Sequence, residues 1–213
     1  MEAWYPGIGG GQAIANLLFG TVVPSAKLPI SFAKSEADLP HREVFGGTPR
    51  TPTEQAEGWV QDTQKRQSFP ADYTEGARFG YKWFDSEGKA PLFPFGYGLS
   101  YTAFDYRDLG VDPSARTVTF TIANVGKRSA TEIAQLYVAL PAKSGEHFRR
   151  LAGWQRVALD AGQHKVVTIA MEPLALAVFD AHKDAWDWLP GRYTVFVGGS
   201  SRSLPLQAEA ALY

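Results

Sequence analysis

The chain has 213 residues, room for one large or two small domains, and 45% of them are hydrophobic, as in a globular protein. A formal net charge of −1 gives no general attraction to nucleic acid or an anionic membrane, and no apolar run of about 18 residues suits a membrane span. Cysteine is absent, which excludes disulfides, a Cys-ligated zinc and a thiol nucleophile. The opening residues MEAWYPGIGGG carry no basic stretch followed by an apolar core, so no signal peptide is read there. The expectation is a cytoplasmic chain or one lacking the beginning of a longer secreted protein.

Residues 1–45 begin with the turn-rich Pro6-Gly7-Ile8-Gly9-Gly10-Gly11. Helical spacing of Ala13, Ile14, Leu17 and Leu18 then predicts a short helix over Gln12–Phe19, stopped at Gly20. Leu28-Pro29-Ile30-Ser31-Phe32 alternates like a strand, with its proline near the start. One helix and one strand cannot bury a core of their own. Their apolar groups, including Trp4, Ile14, Leu17, Leu18 and Phe32, must fold against the rest of the chain or be buried in a homo-oligomer. Residues 46–72 are polar, with Trp59, Val60 and Phe69 as the sizeable apolar groups, and read as a long connection.

From Tyr73 to Tyr106, eleven of 34 residues are aromatic, interleaved with Gly76, Gly80, Gly88, Gly96 and Gly98. Aromatics bury large areas and glycine lets backbones approach closely, so this is a tightly packed connector. Beyond Phe104 the pattern turns to short strands. They are expected at Thr117–Ile122, Ile133–Leu140, Leu151–Leu159, Val166–Met171, Leu174–Phe179, Tyr193–Val197 and Leu204–Leu212, divided by Gly, Pro, Asn and Asp. The fold class that follows is mainly β. It is an immunoglobulin or fibronectin type III-like β-sandwich, preceded by a small incomplete α/β segment and the connector.

Gly80-Tyr81-Lys82-Trp83-Phe84-Asp85, followed by Pro91-Leu-Phe-Pro-Phe-Gly-Tyr-Gly-Leu-Ser-Tyr-Thr102, resembles the C-terminal region of family 3 glycoside hydrolases, the β-glucosidase and β-xylosidase type. Ala3–Gly7, Gly10-Gly11 and Ala13–Gly20 resemble the last helix of that family's α/β sandwich domain. Pro24–Pro29 resembles its Asn-Pro-Ser-Gly-Arg-Leu-Pro motif, with Val23 and Ala26 as departures. Gln135–Val138, Arg150–Trp154, Val157–Leu159, Gly191–Tyr193 and Val197–Ser201 look like its fibronectin-like terminal domain. The resemblance implies three parts: 1–72 as a remnant of the α/β sandwich domain with a polar loop, 73–104 as connector, and 105–213 as the β-sandwich. It also implies a periplasmic or secreted setting and a β-glucoside substrate. The family's nucleophile, an Asp of an N-terminal (β/α)8 barrel, and its acid/base Glu, upstream of Trp4-Tyr5-Pro6-Gly7, have no counterpart in this sequence. The implied partners are therefore a complementing catalytic domain or further copies of the chain.

Glycoside hydrolysis needs two carboxylates about 5–10 Å apart. Near the aromatic run they are Asp72, Glu75, Asp85 and Glu87, of which Glu75, in Tyr-Thr-Glu-Gly, matches a recurrent family position and is the weak catalytic candidate. Its structural alternative is a cap on backbone N–H groups or on Arg78. Asp85 reads as a turn former and Glu87 as a solvated turn tip. Substrate-binding candidates are Tyr73, Glu75, Trp83 and Trp59, since pyranose C–H faces stack on aromatic rings. Against that stands a core role for the connector aromatics as a weld between domains. Trp154 is expected to be buried, Trp186 and Trp188 partly exposed.

No cofactor is called for. His41, His147, His164 and His182 lack metal-ligand spacing, Gly-x-Ser-x-Gly does not occur, and Ser100 is expected to satisfy a turn. Gly7–Gly11 is read as a helix approach, not a phosphate loop. Three functions stay open: the C-terminal scaffold of a β-glucosidase-like enzyme, a stand-alone carbohydrate-binding or interaction module, and a small hydrolase with a newly recruited site for a glycoside, ester or lactone.

Overall fold

In the computed structural model the structure describes residues 1–40 and 73–212. Trp59 and Asp72 lie outside the described residues. Seven strands make two open sheets. One is three-stranded, in the order β1 (Phe104–Asp112), β2 (Thr117–Asn124), β5 (His164–Ala170). The other is four-stranded, in the order β4 (Arg149–Leu159), β3 (Ala130–Ala139), β8 (Gly191–Gly198), β9 (Leu206–Leu212). A hairpin of β6 (Ala177–Asp180) and β7 (Ala185–Trp188) stands apart from both.

The alternation that announces the strands also fills the core. Val118, Phe120 and Ile122 of β2, with Val167 and Ile169 of β5, are buried in one cluster with Ala134, Leu136 and Val138 of β3 and Tyr193, Val195 and Val197 of β8. Each such aliphatic side chain contributes about 1.5–3 kcal/mol on burial, and with no disulfide this core carries the stability.

Three strand expectations are corrected. β1 was not anticipated because a bulge hides its period: Asp108 takes φ 59° and the pairing with β2 shifts between Arg107 and Gly110. The apolar phase therefore slips from Phe104 and Tyr106 to Leu109 and Val111. Leu174 lies in a 3-10 turn (Pro173–Leu176) set by the proline, so the strand expected there begins only at Ala177. Leu28–Phe32 is not a strand of a sheet. It meets the connector at both ends, Leu28 N donating to Tyr97 O (2.8 Å) and Phe32 N to Phe93 O (2.8 Å), with a single bridge at Phe32–Phe93. Pro29 and Pro94 have no N–H to donate, so no ladder closes between those ends.

Helix α1 spans Gly10–Leu18, ending one residue earlier than the periodicity suggests, with Gly20 at φ 74°. It is tied to the sandwich side by two long side chains. Tyr101 Oη donates to Leu17 O, and the Arg128 guanidinium donates to Gly20 O while lying 5.6 Å from the Tyr101 ring centre. Ile14 and Leu17 are half-buried in α1 and Phe32 is half-buried against Phe93, whereas Trp4, Tyr5, Ile8, Leu18 and Phe19 stay exposed.

Candidate functional site: the aromatic connector and its seat

The connector holds a helix that periodicity did not reveal, α2, Tyr81–Ser86. Glycines in the left-handed region bracket it, Gly80 at φ 60° and Gly88 at φ 62°. Its six residues are too few to be stable alone and are held by what they touch. Phe84 is buried. Tyr81 stacks on Phe95 at 5.0 Å between ring centres and meets Tyr137 of β3 edge-on at 5.8 Å, while its Oη accepts from Leu151 N at 2.7 Å. Burial pushes the Tyr81 hydroxyl up to about 12, and the hydrogen bond from Leu151 offsets part of that rise.

Asp85 is not the turn former expected but a residue of α2. Its side chain is 5% exposed, and it faces the sandwich from the helix. Arg149 grips it with two parallel bonds, Nε to Oδ2 at 3.0 Å and Nη2 to Oδ1 at 2.8 Å, and Arg202 Nη2 lies 3.3 Å from Oδ1. The same Arg202 nitrogen donates to Phe84 O and Lys89 O, satisfying carbonyls at the helix end. Glu87 is exposed, as expected of a turn tip, and pairs with Arg78 at 3.3 Å on the surface.

The weld continues along β3. Gln135 Nε2 donates to Gly96 O at 3.1 Å and to Gly199 O at 2.8 Å, and its Oε1 accepts from Tyr137 Oη at 2.7 Å. Glu132, also buried, takes Lys27 Nζ at 2.8 Å and Tyr106 Oη at 3.1 Å, tying the N-terminal segment to the sandwich. Burial first, then the Glu132 carboxylate, raises the Tyr106 hydroxyl far above its ordinary range; Tyr137 moves the same way through burial. Sequence reasoning missed the roles of Arg149, Arg202, Gln135, Glu132 and Lys27, and it assigned Asp85 to a turn. The dipeptide Arg149–Arg150 was the available signal, and each member has its own carboxylate, Asp85 and Glu146.

Of the expected site residues, Glu75 and Trp83 are brought together through Arg78. Its Nε donates to Glu75 O at 3.2 Å, and its guanidinium carbon sits 5.6 Å from the Trp83 ring centre. Glu75 is buried and Tyr73 is 74% exposed at the start of the same turn. Trp83 Nε1 donates to Asp38 O at 2.8 Å, and Lys89 also lies 5.6 Å from its ring. Two cations thus already approach the Trp83 ring. Phe79 and Phe93 are exposed, so the connector is a weld with some wet aromatics, not a continuous core.

Other expectations are revised. Trp154 is 62% exposed, because it falls on the outer face of β4 opposite Gln135 while Val157 and Leu159 fall on the inner one. Trp186 is half exposed and Trp188 partly buried, both in line with the expected partial exposure, and Arg116 stacks on Trp188 at 4.1 Å. The Ser100 hydroxyl is buried with no hydrogen-bond partner among the described residues, so it does not satisfy a turn. No cluster of metal-ligating side chains occurs among the described residues.

Residues 1–101 match the Glycosyl hydrolase family 3 C-terminal domain, and residues 132–201 match the Fibronectin type III-like domain. The chain belongs to glycoside hydrolase family 3. It is 33% identical to thermostable beta-glucosidase B of Acetivibrio thermocellus, over 97% of this chain and 26% of that protein. It is 35% identical to probable beta-glucosidase M of Aspergillus oryzae, over 97% of this chain and 28% of that protein. Among solved structures, the GH3 β-glucosidase of Bifidobacterium adolescentis superposes with a TM-score of 0.82 at 31% identity, covering 99% of this chain and 29% of the other. DesR, a β-glucosidase of Streptomyces venezuelae solved in complex with D-glucose, gives 0.79 at 33% identity, covering 99% and 26%. The chain therefore spans about a quarter of the length of these family 3 relatives. It corresponds to their C-terminal region, and the mainly β, sandwich-containing fold is the one expected.

Proposed function

We propose that this chain is the scaffold region of a β-glucosidase-like enzyme whose complete form hydrolyses terminal β-glycosides. In this reading residues 1–72 complete an α/β domain, 73–104 weld it to the sandwich of 105–213, and Tyr73, Glu75, Trp83 and Trp59 contribute to a site wall. The observation that carries the reading is the commitment of the buried connector carboxylate to structure: Asp85 is clamped by Arg149 and Arg202, while the exposed Glu87 makes a surface pair with Arg78. Asp85 is not placed as a free acid or nucleophile. The family's catalytic carboxylates have no counterpart here, so chemistry would come from a complementing catalytic part. That part is also the proposed cover for Trp4, Tyr5, Ile8, Leu18 and Phe19, with a homo-oligomer as the alternative.

The test is the purified chain on 4-nitrophenyl β-glucoside, the β-xyloside and simple esters, alongside Glu75→Gln. No turnover is expected from either protein. Glycosidase turnover lost in Glu75→Gln would overturn the scaffold reading in favour of a small hydrolase. A second reading, a carbohydrate-binding module, is favoured by the exposure of Tyr73 and Trp154; glucan binding without turnover would select it. Sedimentation showing a monomer would exclude the homo-oligomer.

A further inference from the structure

A second feature lies away from the connector. Between the segment after α1 and the sandwich opens a cavity of ≈ 770 Å³, walled by residues 21–25 on one side and by the start of β3, the end of β4 and the start of β5 on the other. The volume suits a sugar-sized ligand rather than a lone ion.

Three cations line it, Arg128, Arg156 and Lys165, in a chain whose formal net charge is −1. Arg128 donates to Gly20 O, and Lys165 Nζ to Ala158 O at 2.7 Å. Both are positioned by carbonyls, and neither forms an ion pair among the described residues, so three cations face the one carboxylate of the lining, Asp160. The Arg156 guanidinium makes no hydrogen bond or ion pair among the described residues, while its backbone carbonyl accepts from Gln155 Nε2 at 3.4 Å. Arg156 and Ala158 are alternate residues of β4, about 7 Å apart along the strand, which brings the Lys165 head near the root of Arg156. The acid in the lining, Asp160, accepts from Ser129 Oγ at 2.9 Å. Ser25 and Thr131 add hydroxyls, and Val23 adds an apolar contact for a ring face.

We infer that this cavity binds the oxyanion group of an acidic sugar, a phosphate monoester or a uronate carboxylate, with Arg156 as its bidentate contact and Lys165 and Arg128 supplying charge. The inference does not depend on the scaffold reading.

Calorimetry tests it with glucose 6-phosphate, glucuronate, inorganic phosphate and neutral glucose as titrants. One or both sugar anions bind, and the tighter one names the anionic group. Arg156→Ala weakens that binding at least tenfold, and Arg156→Lys retains part of it. Thermal melting of both variants stays at the parent value, since this guanidinium supports no contact in the fold. Absence of sugar-anion binding, unchanged affinity in Arg156→Ala, or equal affinity for neutral glucose would overturn the assignment. Inorganic phosphate binding as tightly as the sugar anions would overturn its sugar part.

Discussion

Gln135 of β3 and Gly96 of the connector are fitted to each other as closely as two residues allow. The side-chain amide donates to the glycine carbonyl at 3.1 Å, and a Cβ at position 96 would fall 2.1 Å from Gln135 Oε1. Gly96 also takes φ 77°, where an L side chain is strained. Gly96→Ala therefore combines backbone strain with overpacking and is expected to cost about 2–4 kcal/mol. Urea denaturation measures it, and a loss below about 0.5 kcal/mol would refute the close fit.

Asp85 carries the second weld. Asp85→Asn leaves Arg149 and Arg202 half-buried without their carboxylate, and a loss of about 2–4 kcal/mol is expected, since breaking one side of a buried pair strands the other charge. Adding Arg149→Met recovers part of that loss. Equal stabilities for the parent and Asp85→Asn would show that the pair is idle.

Alkaline stability follows from the tyrosines. Tyr81 ionises near 10 in the unfolded chain and at about 12 when folded, so the folded state holds its proton more tightly. Its contribution is fully present below pH 10 and is lost as pH rises through 12, with Tyr106 and Tyr137 acting in the same direction. Denaturation midpoints should fall steeply above pH 10, and the fall should be shallower in Tyr81→Phe. An identical slope in that variant would exclude Tyr81 as a contributor.

Position 154 separates surface from core. Trp154→Ala, on the exposed outer face of β4, is expected to cost less than about 1 kcal/mol, whereas Leu136→Ala in the sandwich core costs about 2–5 kcal/mol. Thermal melts of the two variants check the order, and a reversal would place the indole in the core.

β2, β5 and β8 were readable in the sequence because their core residues recur at every second position and period-two burial is a local property; β3 was readable as an apolar run, since both of its faces are covered. β1 was not, since one bulged residue at Asp108 flips the phase of everything after it. Nor was α2, whose six residues form a helix only because Gly80 and Gly88 bracket it and Tyr137, Leu151 and Arg149 receive it. At the candidate site, Glu75 and Trp83 were named from residue type, but their link through Arg78 depends on a folded turn.

By itself the sequence determined the family, the sandwich and the presence of an aromatic connector, all carried by order, spacing and residue type along the chain. Tertiary structure alone decided what the connector's charges do. Asp85 lies 64 positions from Arg149 in sequence, and separations of that length leave no local pattern to read. A carboxylate becomes an ion-pair weld or an available acid according to which distant cation the fold brings within about 3 Å of it.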